Sequence, residues 1–303
     1  MGKLAQQMTS LAKQAGGSYK TVHDRMAIVQ RFCQHLLALN IQSKQVAHLK
    51  ARHIEGYIQH RLAQGIGKRT LQNEMAALRA VLQQAGRDKL ASDERLGNRA
   101  LGLANATRDG TKRAIPGHVY QAALQKAQAA DPDFAAALTL ARLMGLRSQE
   151  AVQSAQSLKT WQQALADGER QLRIVFGTKG GRPRVTTVLD PQAVRLAVDR
   201  ALEIATARNG RLMDAPDLKT AMNGWHNQAR RCCLTGEYAP HSLRYAWAQD
   251  ALRYWLAQGL SQKEALAQVS TDLGHGDGRG RYIRRCTGGV WKSKPGSLAG
   301  STV

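Results

Sequence analysis

The sequence predicts a mainly α-helical protein in two domains, the second of which carries one small β-hairpin. Three observations lead there. Apolar residues return at helical spacing through most of the 303 residues. Strict apolar alternation is confined to the stretch between Leu172 and Leu189. From Asn105 to Pro116 the periodicity disappears and Gly, Pro and charge take its place, which puts an interdomain linker there and domains at residues 1–107 and 108–303.

In the first domain Val22, Met26, Val29, Phe32, Leu36 and Leu37 form one helical stripe. Leu49, Ile54, Tyr57, Ile58 and Leu62 form a second, and Leu71, Met75, Leu78 and Leu82 a third that stops at Gly86. Gly16-Gly17-Ser18 precedes the first helix and Gly65-Ile66-Gly67 separates the second from the third, as helix-breaking loops do. The third helix opens on Lys68-Arg69-Thr70, where two cations, a hydroxyl and first-turn N–H groups suit a phosphate. In the second domain Asp131-Pro132 makes the cap and first turn of a helix through Phe134, Leu138 and Ala141. Leu172, Ile174 and Phe176 make one strand, Val185, Thr187 and Leu189 its partner, and Thr178-Lys179-Gly180-Gly181 a basic tip between them.

Composition narrows the function. Lys and Arg number 44 against 22 Asp and Glu, a formal charge of +22 spread along the chain. Such a chain attracts a polyanion: nucleic acid first, then an anionic membrane surface or an acidic protein. A hydrophobic share of 43% excludes a disordered basic tail as the whole explanation. No apolar run reaches membrane-spanning length, and the start Met1-Gly2-Lys3-Leu4 lacks a secretory apolar core, so the expected location is the cytoplasm, in association with the nucleoid. Cys33, Cys232, Cys233 and Cys286 have neither zinc-site spacing nor the density of a disulfide scaffold. Walker A, GxGxxG, HExxH and GxSxG patterns are missing, so neither a cofactor nor a metal is expected. With 5% aromatic residues and no stacking motif, RNA is poorly supported.

Four places in the second domain carry groups suited to phosphate chemistry. Arg147 stands in Gly145-Leu146-Arg147-Ser148-Gln149-Glu150, with Glu150 placed to hold it. Lys179 sits at the hairpin tip, followed by Arg182 and Arg184. His241 and Arg244 open a helix in Pro240-His241-Ser242-Leu243-Arg244. Leu273-Gly274-His275 leads through a glycine-rich run with Arg279 and Arg281 to Tyr282. Taken singly, each is more often a surface ion pair, a solvated lysine or a satisfied histidine.

Taken in order, these residues resemble the tyrosine recombinase, or phage integrase, family. Arg147 resembles the family's first arginine and Glu150 its supporting acid. Lys179 resembles the β-hairpin lysine, His241 and Arg244 the HxxR box, His275 the second His/Trp position and Tyr282 the nucleophile. The resemblance implies a helical SAM-like core-binding domain followed by an α-rich catalytic domain with a small β-hairpin. It implies a site-specific recombinase or integrase of a mobile genetic element, which cuts and rejoins DNA through a 3′-phosphotyrosyl link. Double-stranded DNA is then the partner, bound by a homotetramer on paired sites, with an accessory DNA-bending protein as a further candidate. Lys68, Arg69, Thr70, Arg182, Arg184, Arg279 and Arg281 become DNA contacts. Two other readings use the same residues: a type IB topoisomerase-like relaxing enzyme, and a DNA-binding protein that has lost catalysis. The interval from His275 to Tyr282, shorter than is usual in the family, is what suggests the latter.

Overall fold

The computed structural model describes residues 2–106 and 112–275. Tyr282, Arg279, Arg281 and Cys286 lie outside the described residues, as does the expected boundary at 107–108. The chain divides into two compact units, Met1–Arg108 and Asp109–Val303.

The first unit is helical: α1 (Lys3–Gln14), α2 (Tyr19–Ala38), α3 (Ala51–Ala63), α4 (Lys68–Gln84) and the short α5 (Asp88–Ala91). Ser18 caps α2, its hydroxyl accepting from the Thr21 N–H at 3.3 Å. Met8, Phe32, Leu36, Ile54, Tyr57, Met75 and Leu82 meet in one core. Helix α1 has no counterpart among the expected stripes. Its Leu4, Met8 and Ala12 recur every fourth residue and are buried, but they stand among Ala, Gln and Lys, so the apolar contrast is weak. Leu37 also departs from expectation, being 59% exposed. It is one residue, and therefore about 100° of helix, beyond the buried Leu36.

Helix α4 carries a buried carboxylate, Glu74, toward α2 and α3. It accepts from the Tyr57 hydroxyl at 2.7 Å, from Arg31 Nη1 at 2.9 Å and from Arg61 Nη2 at 2.9 Å. Burial opposes its charge, but the hydrogen bonds from Arg61 and Tyr57 and the charges of Arg61 and Arg31 outweigh that and hold the carboxyl below its usual range.

The second unit contains α6 (Gly117–Ala130), α7 (Pro132–Met144), α8 (Ser148–Val152), α9 (Leu158–Ala166), β1 (Gln171–Ile174), β2 (Arg184–Thr187), α10 (Pro191–Ala207), α11 (Leu218–Arg231), α12 (His241–Ala257) and α13 (Gln262–Asp272). Helix α7 is central, packing on α6, α8, α10 and α12. It is apolar on nearly every face, with Phe134, Leu138, Leu140, Ala141 and Met144 all buried. Its N-terminus follows expectation: the Asp131 carboxylate accepts from the Phe134 N–H at 3.0 Å and Pro132 occupies the first turn. Phe134 meets the edge of Trp225 of α11, ring centroids 5.0 Å apart. A second cluster, with Trp247, Leu252, Val269 and Leu273, joins α12 to α13. Among the described residues no helix is long and apolar enough to cross a membrane.

The hairpin forms where expected, but β1 begins one residue earlier and ends two earlier than the alternation implies, and β2 does the same. Its inner face differs on one side. Leu172 and Ile174 are buried as the alternation implies, but they pair with Thr186 and Arg184, and cross-strand partners share a face. Arg184 and Thr186 therefore point inward, while Val185, expected inside, is 39% exposed. Polar residues take the inner positions because acceptors wait there: Thr186 Oγ1 donates to the Met144 carbonyl at 3.0 Å, and Arg184 enters the site described below.

Replacing Glu74 by alanine removes the countercharge of Arg31 and Arg61 and the partner of the buried Tyr57 hydroxyl. We expect the first unit to lose about 3 kcal/mol in chemical denaturation, with hydrogen exchange in the helices of the second unit unchanged. A loss below about 0.5 kcal/mol would show the network to be superficial.

Candidate active site

The site is built on the turn between α7 and α8. Arg147 precedes α8 as its N-cap, and Glu150 is the third residue of that helix. The carboxylate reaches back to the Arg147 N–H at 2.8 Å and takes Arg147 Nη1 at 2.5 Å. The pairing expected from sequence is present, but Arg147 stands just before the helix rather than on its face. Arg184 arrives from β2 and binds the same carboxylate through Nε at 3.2 Å and Nη2 at 2.7 Å. Arg244 Nη1, from the first turn of α12, lies 4.0 Å from it. Glu150 is 1% exposed. Burial alone would raise its pKa; the hydrogen bonds and charge of Arg184, then the charges of Arg244 and Arg147, bring it down to about 2.

Two backbone carbonyls complete the frame. Gly145, the C-cap of α7, accepts from Arg244 Nη1 and, at 3.2 Å, from Arg184 Nη2. Leu273, the C-cap of α13, accepts from Arg244 Nη2 and, at 3.0 Å, from Arg147 Nη2. Three guanidinium groups thus surround one carboxylate, leaving an excess of positive charge at one place. An open pocket of about 620 Å³ adjoins them, with Arg147, Lys179, Arg182, Arg184 and His275 on its walls. Lys179 and Arg182 are exposed on the hairpin tip, whose approach depends on Gly177. At φ +73° that residue lies so close to α8 that a Cβ would fall 2.5 Å from the Gln149 carbonyl oxygen.

His241 is the first residue of α12, with its ring edge-on to Tyr245 at 5.1 Å. Burial, then the like charges of Arg244, Arg147 and Lys112, push its imidazole down to about 4 against the pull of Glu150. It is neutral at neutral pH and can accept a proton. His275 is half-buried, its N–H donating to the Ser270 carbonyl at 2.9 Å.

Arg147, Glu150, Lys179, Arg182, His241, Arg244 and His275 are therefore gathered by the second unit around one centre. Arg184 requires a correction. It was expected on DNA, yet it is 6% exposed and its guanidinium is taken up by Glu150 and by backbone carbonyls. The alternation of Val185, Thr187 and Leu189 points the other way, and only the strand register, which pairs residue 184 with the inward Ile174, shows that it faces inside. Asp272 was also missed: it is 2% exposed, accepts from Gln268 Nε2 at 2.9 Å, and burial pushes its carboxyl above the usual range. Lys68, Arg69 and Thr70 belong to the first unit, where they are exposed in the first turn of α4, and Arg69 Nη1 donates to Gln72 Oε1 at 3.0 Å.

The neutral His241 has a measurable consequence. Its folded pKa lies below the value of about 6.5 expected unfolded, so the unfolded chain binds more protons between the two. Stability of the second unit should fall as pH drops from about 6.5 toward about 4, and an NMR titration of the free protein should place the imidazole midpoint near the lower value. His241→Gln should remove that part of the acid sensitivity. A midpoint above 6 would contradict the assignment.

Comparison with known proteins adds to this geometry. A family model described as phage integrase, N-terminal, matches residues 1–91, and one described as integrase matches residues 102–250. The Tn1549 transposon integrase, solved in complex with transposon right end DNA, aligns over 93% of each chain with 13% identity and a TM-score of 0.63. A lambda integrase dimer bound to a COC′ core site aligns over 96% of this chain and 78% of that one, with 15% identity and a TM-score of 0.60. A lambda integrase tetramer bound to a Holliday junction aligns over 95% and 78%, with 15% identity and a TM-score of 0.59. At such identities the likeness concerns the fold. No curated protein matches the sequence. Two family models follow one another along most of the chain, over a helical first unit and a second unit that gathers the arginines, lysine and histidines in the expected order, and on this ground the chain belongs to the phage integrase, or tyrosine recombinase, family.

Proposed function

We propose that the chain is a site-specific DNA recombinase that breaks and rejoins strands through Tyr282. The observation that carries this reading is the cluster of three guanidinium groups on one buried carboxylate, set against an open pocket with an exposed lysine. A phosphodiester is the ligand such a site suits. It is singly charged, and its non-bridging oxygens accept from forked donors.

Each group answers one obstacle in the reaction. Arg147 and Arg244 neutralise the phosphate and stabilise the charge of the pentacoordinate state, with a further hydrogen bond from His275. The phenol of Tyr282 must lose its proton, and His241 is the proposed acceptor, its basicity rising once the phosphate's negative charge offsets the arginines that depress it. The phenolate attacks phosphorus as the bond to the 5′ oxygen breaks, and Lys179 delivers a proton to that leaving oxygen. The 3′-phosphotyrosyl link conserves the energy of the broken bond, so a 5′ hydroxyl of a second strand reverses the step without ATP. In this scheme the exposed Lys68, Arg69 and Thr70 of the first unit, Arg182 at the hairpin tip, and Arg279 and Arg281 hold the duplex. A homotetramer on paired sites is the working assembly, with an accessory bending protein and association with the nucleoid as its setting.

A nicked suicide substrate tests the scheme. The wild type should accumulate a covalent protein–DNA adduct and Tyr282→Phe none, while both bind the duplex with affinity that falls steeply with salt. Arg147→Lys should keep affinity within about threefold and slow adduct formation by roughly 100- to 1000-fold. If wild type and Tyr282→Phe both release only protein-free DNA after denaturation, binding without chemistry becomes the correct reading.

A further inference from the structure

Arg184 was expected on DNA, and its geometry points to other work. Its guanidinium presents five N–H donors in a rigid fork. Nε and Nη2 are spent on Glu150 at 3.2 and 2.7 Å, Nη2 also reaches the Gly145 carbonyl at 3.2 Å, and Nη1 takes the Asp272 carbonyl at 2.5 Å. Four of its five N–H donors are thereby engaged within the protein.

The acceptors belong to different segments. Gly145 ends α7 two residues before Arg147, Glu150 lies in α8, and Asp272 ends α13 three residues before His275. Arg184 itself begins β2, five residues beyond Lys179. The turn that carries His275 is held a second time: a Cβ on Gly274, at φ +66°, would lie 3.0 Å from Cδ of Arg184, so that turn closes directly on the aliphatic stem. The stem holds Gly274 while the head holds Asp272.

We propose that Arg184 is a positioning residue, which sets the placement of Arg147, Lys179 and His275 around the scissile phosphate without touching DNA. This rests on the recombinase reading above. It also explains why a buried cation stands at an inward strand position. Glu150 needs a partner there, and a lysine ammonium, a single point on a flexible stem, cannot span the three acceptors at once.

The test uses the full chain with Arg184→Lys and Arg184→Ala. Three quantities are measured: duplex affinity against salt, the single-turnover rate of adduct formation at saturating DNA, and hydrogen exchange at the Gly274 and His275 amides. Those amides are bonded to Thr271 and Ser270, so they report the turn directly. Arg184→Lys should fold, keep its affinity within about threefold with an unchanged salt slope, and lose roughly 100-fold in saturated rate, the cost of a displacement of about 1 Å. Exchange at both amides should rise. Millimolar guanidinium ion should restore the Arg184→Ala rate where sodium chloride of equal ionic strength does not.

Three results would overturn the proposal. One is a salt slope reduced by about one with the saturated rate intact, which marks a phosphate contact. Another is lowered thermal stability with wild-type rate in the folded fraction, which marks packing alone. The third is unchanged exchange at Gly274 and His275 in either variant. If the wild type forms no adduct, the recombinase reading fails, and the exchange measurement still decides whether Arg184 holds the turn.

Discussion

The arrangement of the second unit depends on one buried carboxylate. Taking Glu150 and its arginines out of water costs several kcal/mol per ion, and only good geometry offsets that. Here it is offset by donors from two arginines and a backbone N–H, with a third arginine at ion-pair distance. Because these donors come from the α7–α8 turn, the hairpin and α12, satisfying Glu150 also fixes how those elements meet. An apolar core could pack the same helices, but it would not specify where guanidinium groups end up to within a few tenths of an ångström.

Much of this was legible in the sequence, and what was not has physical causes. The order Arg147, Lys179, His241, Arg244, His275 could be read because each residue sits beside a local marker: a helix start, a glycine-rich tip or a turn. Arg184 could be seen, but not the carboxylate and carbonyls that take up its guanidinium. In a basic chain an arginine near a hairpin tip looks solvated, and only the cross-strand register with Ile174 shows that it faces inward. The same register explains why Val185 ended outside. Helix α1 was missed for a different reason, since alanine at buried positions gives little contrast against a polar face. Distances between segments far apart in the chain, such as Arg147 to the Leu273 carbonyl, leave no trace in local spacing.

The charge of +22 also divides more sharply than composition implied. Lys68, Arg69, Lys179 and Arg182 are exposed, and salt in solution will screen them. Arg184 and Arg244 are buried at 6% and 1% exposure and are screened far less. Arg147 stands between the two groups, with its side chain 19% exposed. Changes in ionic strength therefore act mainly on the exposed cations and much less on the buried pair.

The carbonyls of Gly145 and Leu273 were described as acceptors, but each also terminates a helix. The C-terminal end of a helix carries roughly half a negative charge from its aligned peptide dipoles. Two such ends, of α7 and α13, converge on Arg244, and each also meets a second arginine. The protein thus steadies these arginines with fractional, immobile countercharges where further acidic side chains would have neutralised them outright. A full carboxylate in either place would cancel the positive charge it held. A helix end holds the arginine in position and leaves most of its charge uncompensated.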